Sequence, residues 1–418
     1  MEKIIIKGGN KLSGEVDISI AKNSVLPIIA ATILSPNNII IKKLPLFEDV
    51  RVFINLLREI NCSINITKDE NLEINTDNIN ISQVNGELIR KMRASFLLMG
   101  PMLARFGYCK ISLPGGCNIG SRPIDLHLKG FEILGAKITS QNGYVEARAD
   151  KLIGNRIYLD FPSVGATENI IMASVLAEGT TIIENSAREP EVIDLINFLN
   201  KIGANIMIES AGKIIIEGVT ELKGCEYLPI YDRIEAGTFM IAAAITNSKL
   251  IINGINEAHL SPLMGKLKES GVIIDCNKNK LIIDGRVYRK PVNVKTLPYP
   301  GFPTDMQAQM MSLLAVTKGS SIITETVFEN RFMHVPELVR MGANINIDGR
   351  TAFIEGVDRL TGCNVRATDL RAGAAMILAG LIAEGKTEVT DIYHIDRGYV
   401  DIEKKLKKLG ADICRIDS

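Results

Sequence analysis

The residues best suited to chemistry stand in residues 113–130, LPGGCNIGSRPIDLHLKG, where Cys117 lies between Gly115-Gly116 and Asn118-Ile119-Gly120. A thiol acts as nucleophile or proton donor only where substrate reaches it, and a nearby fixed cation favours its thiolate. Glycines on both sides predict a mobile loop rather than a core strand. Arg122, five residues on, brings a guanidinium near the sulfur. The competing expectation is that Cys117 is one more small buried hydrophobe. That reading suits Cys62, Cys109, Cys225, Cys276, Cys363 and Cys414, which show no CxxC spacing or histidine clustering and read as structural.

A second set of polar residues stands just before six apolar segments: Lys22-Asn23, Arg93, Ser163-Val164-Gly165, Asp232-Arg233, Thr304-Asp305, and Asp369 with Arg371. Acidic and hydroxyl residues here serve as helix N-caps, which accounts for Ser163 and Asp305. Capping does not account for Lys22, Arg93, Arg233 and Arg371, because a cation at a helix N-terminus opposes the dipole. A repeated unfavourable choice points to anion binding. Arg122, Arg331 in VFENRFMH and Arg397 in IYHIDRGY add further cations in loops. Arginine grips carboxylate and phosphate through a bidentate fork, so this set suits a small substrate bearing both groups, such as phosphoenolpyruvate. Walker A, Rossmann and HExxH patterns are absent, which removes the common nucleotide-hydrolase, dehydrogenase and zincin readings. Of the four histidines, His259 and His334 read as structural.

The elements that must position these groups follow a repeat. LREINCSINI, FEILGAKI, LNKIGANIMI, LKESGVIID, VRMGANINI and LKKLGADI recur at a spacing of roughly 70 residues, and each predicts an amphipathic helix that ends in Gly or Asn before an Ile/Val-rich strand. A second helix per unit is apolar on every side: NSVLPIIAATIL, RASFLLMGPMLARF, ENIIMASVLAEG, GTFMIAAAITN, MQAQMMSLLAV and AGAAMILAGLIAEG. Such helices must be buried all round. Six of them predict an α/β chain of two domains, three units each, with helices inside and strands and surface helices around them. A continuous solenoid would need polar capping repeats, and none is seen. The split is expected near Tyr227-Leu228-Pro229, and IIIKGGNKLSGEVDISI reads as two short strands around a Gly-Gly turn.

Length and charge bound the function. A chain of 418 residues exceeds what one core usually serves. With 48 basic against 48 acidic residues and 46% apolar content, it is an ordinary globular protein, not a general nucleic-acid or membrane-surface binder. The start, MEKIIIKGGN, is too short an apolar run for a signal peptide, and no stretch approaches the roughly 20 apolar residues of a membrane span. A cytoplasmic monomer is expected, with neither a disulfide framework nor a zinc site.

The cysteine loop, together with GGNKLSGEV, AKNSVLPIIAA, SVGATENIIMA, SAREPEVIDL, DRIEAGTFM, FPTDMQAQ, TVFENRFMHVPEL, ATDLRAGAA and IYHIDRGY in order, resembles the enolpyruvyl transferase family along the whole chain. The resemblance implies two inside-out α/β barrel domains, each of three βαβαββ units, with a cleft between them. The first would span residues 22–229 and carry the Cys117 loop; the second would span 1–21 plus 230–418 and carry Asp305. It also implies transfer of the enolpyruvyl group of phosphoenolpyruvate to the 3-hydroxyl of UDP-N-acetylglucosamine, a first committed step toward peptidoglycan, with no metal and no cofactor. By residue match, Cys117 would protonate the methylene carbon and Asp305 would take the hydroxyl proton. Lys22, Arg122 and Arg397 would hold phosphate, while Arg331 and Arg371 would hold carboxylate. The sugar nucleotide would meet Asn23, Arg93, Arg122, Pro123, Ile124, Asp125, Leu126, Ser163, Val164, Gly165 and Val327. His127 and His394 fall within the resembling motifs and would bond a phosphate or support a loop. Tyr299 and Phe161 stand where some members have histidine and lysine. The alternatives are enolpyruvyl transfer to shikimate 3-phosphate, RNA 3'-phosphate cyclisation on a related repeat, and a non-catalytic repeat scaffold.

Overall fold

The computed structural model describes residues 2–79, 93–113, 124–209 and 212–417. Among them, the six apolar segments form helices buried over most of their length: Lys22–Ala31, Met99–Phe106, Val164–Ser174, Arg233–Ile245, Gln307–Leu314 and Leu370–Gly380. The amphipathic segments form the helices Glu48–Glu59, Asp125–Ile133, Pro190–Lys201, Glu257–Glu269, Val335–Arg340 and Ile402–Lys408. In Pro190–Lys201 the buried stripe runs Val192, Leu195, Ile196, Leu199, the i, i+3, i+4, i+7 spacing of a one-sided helix.

Each amphipathic helix is followed by a residue with positive φ, as in Gly203 at +109° and Gly410 at +106°. The first lacks the glycine, and Asn61 takes its place at +70°. Asparagine enters the left-handed region more readily than most side chains, so the degenerate copy of the repeat keeps the same helix stop.

One expected helix divides. RASFLLMGPMLARF is a 3-10 segment over Arg93–Leu98 and an α-helix over Met99–Phe106. Pro101 has no N–H and its ring crowds the carbonyl of Leu97, which favours the change of helix geometry at this point. The N–H of Gly100 goes instead to the Asn169 side chain at 2.7 Å.

The chain forms two compact units, one from the described residues between 20 and 230, the other from those before 20 and after 230. In the first, Ile39–Ile41, Leu72–Asn75 and Ser63–Ile66 make an antiparallel run, and Cys225–Tyr227 joins its edge in parallel with Ile39–Ile41. Tyr108–Ser112, Tyr144–Arg148 and Lys137–Gln141 form a three-stranded antiparallel sheet. Arg156–Tyr158 pairs in parallel with Thr180–Glu184 in the third sheet of this unit.

The second unit repeats the plan, and the opening strands complete it. Ser13–Asp17 pairs in parallel with Lys249–Asn253, whereas Glu2–Lys7 lies between Lys386–Thr390 and Asp412–Asp417, antiparallel to both. The two strands around the Gly-Gly turn thus serve different sheets. Each covers backbone donors and acceptors that an open sheet edge would leave exposed. The buried helices Arg233–Ile245, Gln307–Leu314 and Leu370–Gly380 pack on one another inside this unit, with Ile241, Met310 and Met376 fully buried.

Candidate active site

Asp305 lies in the 3-10 turn Thr304–Met306 that feeds the buried helix Gln307–Leu314. The capping expectation fails here, because the turn has no side-chain cap. Its two carboxylate oxygens instead accept from separate arginines: Oδ1 from Arg331 Nη2 and Oδ2 from Arg371 Nη2, both at 2.9 Å. Those arginine side chains are 3% and 4% exposed. Ser163 behaves as expected, accepting the N–H of Ala166 at 3.4 Å as the cap of Val164–Ser174.

Arg371 stands in the first turn of the helix Leu370–Gly380, and its backbone N–H, with that of Ala372, goes to the cap residue Asp369. The unfavourable dipole at this position is offset by carboxylates. Burial works against the charged guanidinium, but the neighbouring Asp305, then Tyr399 and Asp232, hold its pKa above the ordinary value. Asp369 also lies 3.9 Å from Arg331 Nη1, so Arg331 spans two carboxylates. Arg233, the comparable residue on Arg233–Ile245, stands over the ring of Tyr299 at 5.9 Å. Val327 presents its N–H to Glu325 at 2.8 Å. Arg397 follows the short helix Tyr393–Asp396; burial, and next the Arg397 charge, keep the pKa of His394 below its usual value. Among the sequence-chosen residues of this unit, the structure brings Asp305, Arg331 and Arg371 into direct contact.

The other unit holds a separate group. Lys22 begins its helix and pairs with Asp49 at 2.6 Å, the two side chains being 11% and 8% exposed. Asn23 is exposed beside it. One residue further, the Ser24 hydroxyl donates to Asp194, which also accepts from Tyr227 at 2.6 Å and from the N–H of Ile230 at 3.0 Å. That buried carboxylate anchors the first turn from which Lys22 and Asn23 project.

Val164 and Gly165 form the first turn behind Ser163, and the His127 ring lies 3.4 Å from where a β-carbon on Gly165 would stand. Asn169 determines the tautomer of that ring. Its Oδ1 accepts from Gly100 N–H and its Nδ2 donates to Phe96 C=O at 2.9 Å, so Nδ2, at 3.1 Å from His127 Nδ1, must donate there too. Ile124, Asp125 and Leu126 begin the helix that carries His127. Cys117, Arg122 and Pro123 lie outside the described residues, as does the side chain of Arg93. Among the described residues, no group of histidine, cysteine or acidic side chains could hold a metal ion.

Asp49, Asp194 and Glu325 were not found by sequence reasoning. Asp49 looks like an ordinary acidic residue in a first helical turn. Glu325 did leave a signal: strand alternation puts Ser321, Ile323 and Glu325 on one face, so a charge stands where a core residue belongs.

The sequence profile of the EPSP synthase (3-phosphoshikimate 1-carboxyvinyltransferase) family matches residues 6–406. The chain is 64% identical over 418 residues to UDP-N-acetylglucosamine 1-carboxyvinyltransferase 1 of Clostridium acetobutylicum, with both chains covered in full. It is 63% identical over 417 residues to UDP-N-acetylglucosamine 1-carboxyvinyltransferase 2 of Clostridium tetani, again covering both. Of solved structures, the enolpyruvyl transferase NikO from Streptomyces tendae superposes with a TM-score of 0.91 at 26% identity, covering 100% of this chain and 99% of that one.

Proposed function

From the chain's membership, now plain, of the EPSP synthase (3-phosphoshikimate 1-carboxyvinyltransferase) family, we propose that it transfers enolpyruvyl from phosphoenolpyruvate to the 3-hydroxyl of UDP-N-acetylglucosamine, supplying a peptidoglycan precursor. The observation that carries the chemistry is Asp305 held between two buried arginines. The names of full-length relatives at 64% and 63% identity support the acceptor.

Addition forms a bond from the sugar oxygen to C2 as C3 takes a proton from Cys117 and Asp305 takes the hydroxyl proton. Elimination then breaks the C2–O bond to phosphate while C3 loses a proton. A carboxylate gripped by two guanidiniums is a poor base, since both cations favour its charged form. A substrate carboxylate competes with Asp305 for Arg331 and Arg371 and so loosens that grip. The base thus becomes effective once its substrate is in place. Lys22, Arg122 and Arg397 take the phosphate, and the fixed positive charge stabilises the intermediate, which carries both a carboxylate and a phosphate.

The test is phosphate release from phosphoenolpyruvate with and without UDP-N-acetylglucosamine, for the parent and for Cys117→Ala. Release that requires the sugar nucleotide and vanishes in the variant is expected. Release with shikimate 3-phosphate alone would overturn the acceptor, and release with neither would overturn the reaction.

A further inference from the structure

Glu325 belongs to none of the groups assigned a role above, yet it is a fully buried carboxylate beside the Asp305 turn. It follows the strand Ser320–Thr324 and is 1% exposed. A buried charge is costly unless donors surround it, and four do. Oε1 accepts from the Thr296 hydroxyl at 2.7 Å, from Val327 N–H at 2.8 Å and from Phe328 N–H at 3.3 Å. Oε2 accepts from the Thr304 hydroxyl at 2.8 Å. Thr296 is itself fixed, because its Oγ1 accepts from Thr326 N–H at 2.9 Å.

One carboxylate therefore ties three pieces of chain together. These are Thr296 at the end of the strand Val294–Lys295, the turn bearing Asp305, and the loop running through Val327 to Arg331. Arg331 closes the ring by reaching back to Asp305. Both proposed reactive partners, the base and a carboxylate-binding arginine, hang from this bracket on opposite arms.

We propose that Glu325 is a positioning residue that holds the Thr304–Asp305 turn and the Val327–Arg331 loop in mutual register for proton transfer. The proposal rests on the reading of Asp305 as the proton acceptor. A displacement near 1 Å at a reacting group costs about 10²-fold in rate. The two arms separate in kinetics. Thr304→Val cuts only the arm to Asp305, and its kcat falls by about 10- to 100-fold with the KM for the sugar nucleotide held near the parental value. Glu325→Ala cuts both arms, lowering kcat and raising that KM through Val327. Glu325→Gln keeps the bridge, since its carbonyl accepts from the backbone N–H groups and its amide donates to the Thr304 hydroxyl, so it regains most of the lost rate. Thr304→Ser, which keeps the hydroxyl, does likewise.

The experiment measures kcat and KM for phosphate release in the parent and these four variants, with melting curves to show each is folded. Parental kcat in folded Thr304→Val, or Glu325→Gln as slow as Glu325→Ala, overturns the proposal. Should Glu325→Ala fail to fold, the pair Thr304→Val and Thr304→Ser still decides it. A parent that releases no phosphate with the sugar nucleotide instead overturns the functional reading beneath it, and this shows before any variant is compared.

Discussion

A carboxylate held at 2.9 Å by each of two nearly buried guanidiniums cannot be altered without consequence for all three groups. Asp305→Asn keeps the size of the side chain but cannot accept the sugar hydroxyl proton and turns an amide toward one arginine. Phosphate release should fall by about 10²- to 10⁴-fold, the range for loss of a general base. The same change should lower the free energy of unfolding by about 1–3 kcal/mol, because a buried charged donor loses its acceptor. Urea unfolding alongside the rate assay checks both; a parental rate would remove Asp305 from the chemistry. Asp305 itself was legible through FPTDMQAQ and its place before an apolar helix. Arg331 and Arg371 were legible too, as anion-binding candidates, but their grip on Asp305 was not, since they lie 26 and 66 residues further along the chain. The capping explanation failed because a 3-10 turn, not an α-helical N-terminus, surrounds it.

At the scale of elements, helix stops show how much a local pattern determines. Gly203 has φ of +109° and open space where a β-carbon would stand, so Gly203→Ala is opposed by the backbone alone. It should cost about 1–2 kcal/mol, the penalty for an L side chain in this region. Asn61→Gly, at the corresponding stop with φ of +70°, loses an exposed hydrogen bond from Asn61 Nδ2 to Asn78 C=O while the left-handed backbone is relieved, so the two effects offset and stability should change by no more than about 0.5 kcal/mol. Denaturant midpoints of the two variants test the contrast, and equal losses would contradict it. Helix faces and stops are set within a turn or two of sequence, which is why they were readable. The break in RASFLLMGPMLARF was not read from Pro101, because a proline alone does not end a helix here: Pro27 and Pro262 both lie inside continuous ones. Strand partners were not readable, because Glu2–Lys7 and Lys386–Thr390 meet across nearly the whole chain.

For the whole molecule, the pH dependence of folding carries a contribution from His334. Burial, first, and then the Arg331 charge push its pKa down to about 4, with Asp369 pulling partly the other way. The unfolded chain therefore binds more protons than the folded one between about pH 6.5 and 4, so this group makes stability rise with pH across that window. Its contribution is present above the unfolded value and is lost as the pH falls toward 4. Buried carboxylates such as Glu235, whose pKa burial raises, act in the opposite sense, so the comparison must be against a variant. His334→Gln should lose less stability than the parent between pH 7 and 5, by about 2 kcal/mol. Urea midpoints at the two values check this, and identical shifts would show that His334 does not titrate on unfolding.

The sequence by itself determined the repeat, the sorting of helices into buried and one-sided classes, the α/β class and the family. It also marked the residues able to hold anions. Periodicity, capping and turn chemistry act between near neighbours, so a linear reading captures them. Only the tertiary structure decided which strands complete which sheet, that Lys22 faces Asp49, that Asp305 is gripped by two arginines, and that Glu325 brackets its turn. Those pairings depend on how distant segments pack and on where a buried charge finds donors, and neither is written in the spacing of residues along the chain.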